Sequence, residues 1–152
     1  MPLPENRSSN RKLSALRQIR AAIRHYLEGE LECAITLAAA AEGQLPDTTD
    51  DYLLKGFKSI VPFEEFDYNL VINWLKHCNE PDQVTITSFE AAMTIRRSIS
   101  KFVAVYWEIS RMMDLFLKAS DKMFSDPEAI ATTDDDDTIE LHHFNPASQR
   151  RD

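Results

Sequence analysis

The sequence predicts an all-α fold: an up-and-down bundle of four to five helices with a long last helix and a disordered acidic tail. Three observations point that way. Of 152 residues only 3 are glycine and 7 are proline, too few turn residues for a sandwich of many short strands. Alanine and leucine are abundant and valine is sparse, which favours helices. Apolar residues recur at spacings of three and four through much of residues 11–124, the signature of one buried helical face. The length fits one domain by the usual prior of about 100 to 200 residues, and 43% apolar residues suffice for one core.

Residues 1–10 are polar and proline-bearing and are expected to be a flexible N-terminus. Ser9 or Asn10 then caps a first helix, whose stripe is Leu13, Leu16, Ile19, Ile23, Tyr26 and Leu27 and whose other face carries arginines. Gly29 marks a break. Leu31 to Glu42 reads as a second helix, rich in alanine, ended by Gly43 and Pro46. Asp50 to Ile60 forms a short third segment before Pro62, and Phe63 to Cys78 a fourth, with Phe66, Leu70, Trp74 and Leu75 facing inward. Gln83 to Thr87 alternates polar and apolar residues but is too short for a sheet alone, so it is an extended connector. Thr87-Ser88-Phe89-Glu90 matches the capping box, in which hydroxyl and carboxylate satisfy the free N–H groups of a helix start. From there the stripe Phe89, Ala92, Met93, Ile99, Phe102, Val103, Tyr106, Ile109, Met113 and Phe116 reads as one helix to about Lys122, near 50 Å long at 1.5 Å per residue. Such a helix would project from the bundle or pack against a second copy. Residues 125–152 hold four consecutive aspartates and few large apolar groups, a composition that does not offset the entropy of ordering.

The net charge of −8 is unevenly placed. Residues 125–152 carry 8 acids and 2 bases, a net of −6, leaving −2 for the rest. Within the first 25 residues Arg7, Arg11, Lys12, Arg17, Arg20 and Arg24 face a single acid, Glu5. A basic strip therefore survives inside an acidic protein, and it is local charge that counts, because salt screens fields beyond about 10 Å. Cys33 and Cys78 lack metal-type spacing and read as reduced core thiols. No apolar run reaches the roughly 18 residues of a membrane span, and the start has no signal-peptide core; a soluble, cytoplasmic protein with no membrane association is expected.

Chemistry-bearing patterns are few. Glu140-Leu141-His142-His143 contains one E-x-x-H, but carboxylate di-iron sites need two copies and further glutamates, so a solvated linker is expected and no metal. Arg20 and His25 are five apart, a spacing that recurs by chance in an arginine-rich helix. Arg17, Arg20 and Arg24 share a face and are candidate phosphate contacts, set against the alternative of a merely solvated surface. Met112, Met113 and the neighbouring aromatics read as packing or dimer surface. No glycine-rich phosphate loop, nucleophile elbow or zinc pattern is present, and neither a metal nor a cofactor is expected.

The stretch Tyr26-Leu27-Glu28-Gly29-Glu30-Leu31-Glu32-Cys33-Ala34-Ile35, followed by Ala38 to Glu42, resembles the first two helices of the HEPN domain, a small helical bundle common in bacterial defence and toxin proteins. Thr87 to Tyr106 is similar to the family's last long helix, and the resemblance covers roughly residues 12–110. Many members are metal-independent ribonucleases carrying R-x(4-6)-H, often as R-N-x-x-x-H. In Ile72-Asn73-Trp74-Leu75-Lys76-His77, Asn73 and His77 match the last two landmarks, while Ile72 stands where the Arg belongs. The resemblance implies that His77 moves a proton at a ribose 2′-OH, with Asn73 beside it, while a cation stabilises charge growing on the phosphate. Loss of one such donor commonly costs ~10²- to 10³-fold in rate. Lys76 points about 100° away around the helix, a poor replacement though a candidate phosphate contact. Arg96 and Arg97, from the long helix, are the other candidates.

Three functions are thus expected in order. The first is a degenerate or non-catalytic HEPN-like module that dimerises through its helix faces and binds a protein such as an antitoxin, a nucleotide or RNA. The second is a metal-independent ribonuclease or toxin using His77. A helical scaffold without nucleic-acid binding is the third.

Overall fold

The computed structural model describes residues 1–47, 69–77 and 80–125. Among them are α1 (Arg11–Leu27), α2 (Leu31–Gln44), α3 (Leu70–Lys76), α4 (Ser88–Tyr106) and α5 (Arg111–Ser125), and no strand. The all-α reading holds. The segment expected at Asp50 to Ile60, the first part of the one expected from Phe63, and the tail beyond residue 125 lie outside the described residues.

Both sequence-legible caps form. The Asn10 side chain accepts the Leu13 amide at 2.8 Å. Thr87 Oγ1 accepts the Glu90 amide at 3.1 Å while Glu90 Oε2 accepts the Thr87 amide at 2.9 Å. These bonds satisfy N–H groups that no helical carbonyl reaches. Between α1 and α2 the chain reverses in a Schellman turn: the Glu30 amide donates to His25 O at 2.8 Å and the Gly29 amide to Tyr26 O at 3.1 Å. Gly29 sits at φ +79°, where a Cβ would be strained.

Three residues of linker make α1 and α2 an antiparallel pair, and α2 is the centre of the bundle. Its Ala34, Ala38 and Ala41 join Ala15, Ile19, Ala22 and Ile23 of α1 and Ala92, Ile95, Ile99 and Phe102 of α4 in the main core. One step around the same helix, Ile35 and Ala39 meet Val71 and Ile72 of α3 and Ala91 of α4 in a second cluster. A helix covered on two sides needs small side chains so that its neighbours approach closely. The alanine run is the sequence trace of that position.

The single helix expected from Thr87 to Lys122 is two helices. Trp107 adopts a left-handed conformation, φ 55° and ψ 31°, which ends α4, and Ser110 restarts the chain by accepting the Met113 amide on its Oγ at 3.3 Å. The stripe continues in phase across the break, through Tyr106, Ile109, Met113 and Phe116, so periodicity alone hides it. Among the described residues no helix of 50 Å forms. Instead α5 returns against α1: the rings of Tyr26 and Phe116 meet edge to face at 5.5 Å, and Tyr26 donates to the Met123 sulfur at 3.4 Å. Lys12 holds the link between the two helices, pairing with Glu108 at 2.8 Å and lying over the Tyr106 ring at 5.4 Å.

Two further expectations are corrected. Leu70, expected inward, is exposed, because at the first position of the short α3 it faces away from the cluster that Val71 and Ile72 enter. Cys33, expected in the core, is also exposed, because α2 turns Ala34 and Ile35 inward and leaves the preceding residue outside.

Candidate functional site

α3 carries the motif residues. Asn73 and His77 are both exposed, and the His77 amide donates to Asn73 O at 3.0 Å, capping the helix end. Lys76 is exposed on the last turn. Trp74, expected inward, is half-buried and donates Nε1–H to Pro81 O at 2.7 Å. Ile72 is buried against Ile35, Ala39, Val71 and Ala91. The position at which the resemblance places a catalytic Arg is thus an apolar core position in this chain, and a guanidinium there would have no water to solvate it.

The two arginines proposed to replace it are held elsewhere. Arg97 is buried, 4% exposed; its Nη2 pairs with the Glu42 carboxylate at 3.1 Å and donates to Asn69 Oδ1 at 3.1 Å. It meets α3 at Asn69, before the first turn, whereas His77 closes the last turn, about 12 Å farther along the axis at 1.5 Å per residue. Arg96 points to α5, donating to Leu117 O at 3.0 Å and Ser120 Oγ at 2.8 Å and pairing with Asp121 at 2.8 Å. It fastens α4 to α5 across the Trp107 break. Asn73 lies on α3 while His77 is its C-cap in an extended conformation, φ −129° and ψ 141°, tied to Asn73 through the backbone, and both arginines are committed to packing.

Glu42 and Lys101 do not stand out in the sequence, yet they complete the Arg97 cluster. Lys101 Nζ donates to the Glu42 backbone carbonyl at 3.1 Å, so one residue near the end of α2 takes one cation on its carboxylate and another on its main chain. A cation at a helix C-terminus satisfies carbonyls that lack helical donors. The trace in the sequence is a lone acid inside an alanine run, opposite two bases four apart inside an apolar stripe.

Arg17, Arg20 and Arg24 lie on the outer side of α1, all exposed. At 100° per residue they occupy a sector of about 60°, spread over roughly 10 Å of axis. Among the described residues no acid pairs with any of them. His25, next in sequence to Arg24, is instead bonded through Nδ1 to Glu30 Oε2. The Glu140-Leu141-His142-His143 pattern lies outside the described residues.

No family model, curated protein or solved structure matches this chain.

Proposed function

We propose that the chain is a non-catalytic, HEPN-like helical module that pairs with a second copy and binds the phosphate backbone of RNA through Arg17, Arg20 and Arg24. The observation that carries this reading is the division of labour among the cations. Arg96, Arg97 and Lys101 serve packing between helices, whereas the α1 arginines face solvent together and without acid partners among the described residues. Guanidinium groups suit phosphate because their N–H groups form a rigid fork matched to two oxygens. Most of the net negative charge lies in residues 125–152, so the basic face is not cancelled by its own helix.

The competing reading, a ribonuclease using His77, draws on the exposure of Asn73 and His77 on α3. What it lacks among the described residues is a cation placed for the transition-state charge, worth ~10²- to 10³-fold in rate. A labelled single-stranded RNA incubated with the full chain in EDTA separates the two. The expected outcome is intact RNA that shifts on binding, unaffected by His77→Ala and weakened about tenfold or more when Arg17, Arg20 and Arg24 are all changed to Gln. Cleavage that His77→Ala abolishes, with folding retained, would establish the ribonuclease instead. Light scattering on the same samples measures the pairing.

A further inference from the structure

We propose that the turn between α1 and α2 is a binding site for a divalent, borderline-soft metal ion such as Zn2+, with His25, Glu30 and Cys33 as its protein ligands. A ring nitrogen of His25, a carboxylate oxygen of Glu30 and the Sγ of Cys33 all lie within 4.8 Å of one another, and among the described residues this is the group of three such side chains that comes together; the nitrogen facing Glu30 is Nδ1. Imidazole, carboxylate and thiolate are the three ligand types zinc takes, and one of each is present.

The backbone explains the convergence. In the Schellman turn the Glu30 amide donates to His25 O at 2.8 Å, which ties the two ligand-bearing residues to each other. Gly29 at φ +79° makes that turn possible. Glu30 is the N-cap of α2, so Cys33, three residues on, rises from the same side one turn later. The neighbours Ala34 and Ile35 are buried in the two cores, so the frame beneath the ligands is rigid while His25 is half-buried and the other two side chains are exposed.

Zinc bonds of about 2.0 to 2.3 Å at tetrahedral angles put ligand atoms roughly 3.4 to 3.6 Å apart. The His25–Glu30 contact is closer than that and the three atoms together lie within 4.8 Å, so an ion would enter by parting the first pair. On binding, the thiol proton is released to solvent, the hydrogen that Nδ1 of His25 donates to Glu30 leaves that nitrogen so that the neutral ring carries its N–H on Nε2, and the metal replaces the His25–Glu30 contact. Three protein ligands leave the fourth position to water.

Co2+ titrated into the metal-free, reduced full chain provides the test. One equivalent is expected to produce a sulfur-to-cobalt charge-transfer band and the strong visible bands of tetrahedral Co2+, both removed by added Zn2+. Cys33→Ser is expected to abolish the charge-transfer band, Cys78→Ser to leave it, and His25→Ala or Glu30→Gln to weaken binding by at least the ~10- to 100-fold that losing a partner of a metal ligand costs. Circular dichroism of each variant checks that the helices persist. Absence of a charge-transfer band in the folded protein would overturn the proposal. So would a band that survives Cys33→Ser.

Discussion

At the scale of single residues, the chain puts its most consequential charges inside. Glu42, Arg97 and Lys101 are all buried, and removing one member of such a cluster leaves an uncompensated charge in a poorly solvated place. Glu42→Ala is expected to cost about 3–5 kcal/mol in urea unfolding. Glu42→Gln keeps an acceptor for Arg97 and is expected to cost less, roughly 1–3 kcal/mol. Changing Glu42 and Arg97 together to Met removes charge and partner at once, and the double variant should recover most of the loss; a double variant as unstable as the sum of its parts would show that the pair is not the coupled unit described. Tyr26 gives a pH signature. Burial raises its hydroxyl above the ordinary value of 10.0. Below about pH 10 the phenol is neutral in both states, and above it the unfolded chain ionises first, so stability is lost as pH rises through the folded value. Tyr26→Phe keeps the ring against Phe116 and should flatten that alkaline loss, measured by unfolding midpoints on either side of pH 10. None of this cluster chemistry is legible residue by residue. A sequence shows that Arg97 and Lys101 interrupt an apolar stripe, but not that Glu42, 55 and 59 positions earlier, lies opposite them.

At the scale of elements, what the sequence makes legible is local and marked by a distinctive residue pattern. The Asn10 cap, the Gly29 break, the alanine helix, the extended connector and the Thr87 box all depend on side chains within four residues of the backbone they serve. The division of α4 from α5 is also local, with Ser110 capping Met113 three residues on, but no glycine, proline or capping box announces it. Its marks are a Trp in the left-handed region and a Ser that restarts the next helix, and neither residue type is diagnostic. A non-glycine residue held there costs of order 1–3 kcal/mol unless its surroundings compensate. Trp107 is 78% exposed, so little packing is at stake. Trp107→Gly is therefore expected to stabilise the protein by about 1 kcal/mol, the relief of strain exceeding the extra backbone entropy of glycine. Destabilisation of similar size would mean that α4 and α5 are one helix, as the stripe alone suggests. The same distinction applies to the site: Asn73 and His77 are legible as a motif, but Ile72 as a core residue requires the second cluster around α2.

At the scale of the whole molecule, the helices form a bundle in which α2 is covered by α1, α3 and α4, and α5 folds back to α1. No helix among the described residues is long and apolar enough to cross a membrane. Inward-facing cations hold helices together, and the outward-facing arginines of α1 supply the surface on which the proposed function rests. That assignment has a quantitative consequence, since each phosphate neutralised on a single strand contributes about −0.7 to the slope of log affinity against log salt. The most direct measurement is therefore that slope for single-stranded RNA, taken with the wild-type chain and with Arg17, Arg20 and Arg24 all changed to Gln. Three phosphate contacts predict a slope about 2 units shallower in the variant, with binding weakened and helicity unchanged. Equal slopes, or wild-type protein that does not bind RNA at low salt, would contradict the account.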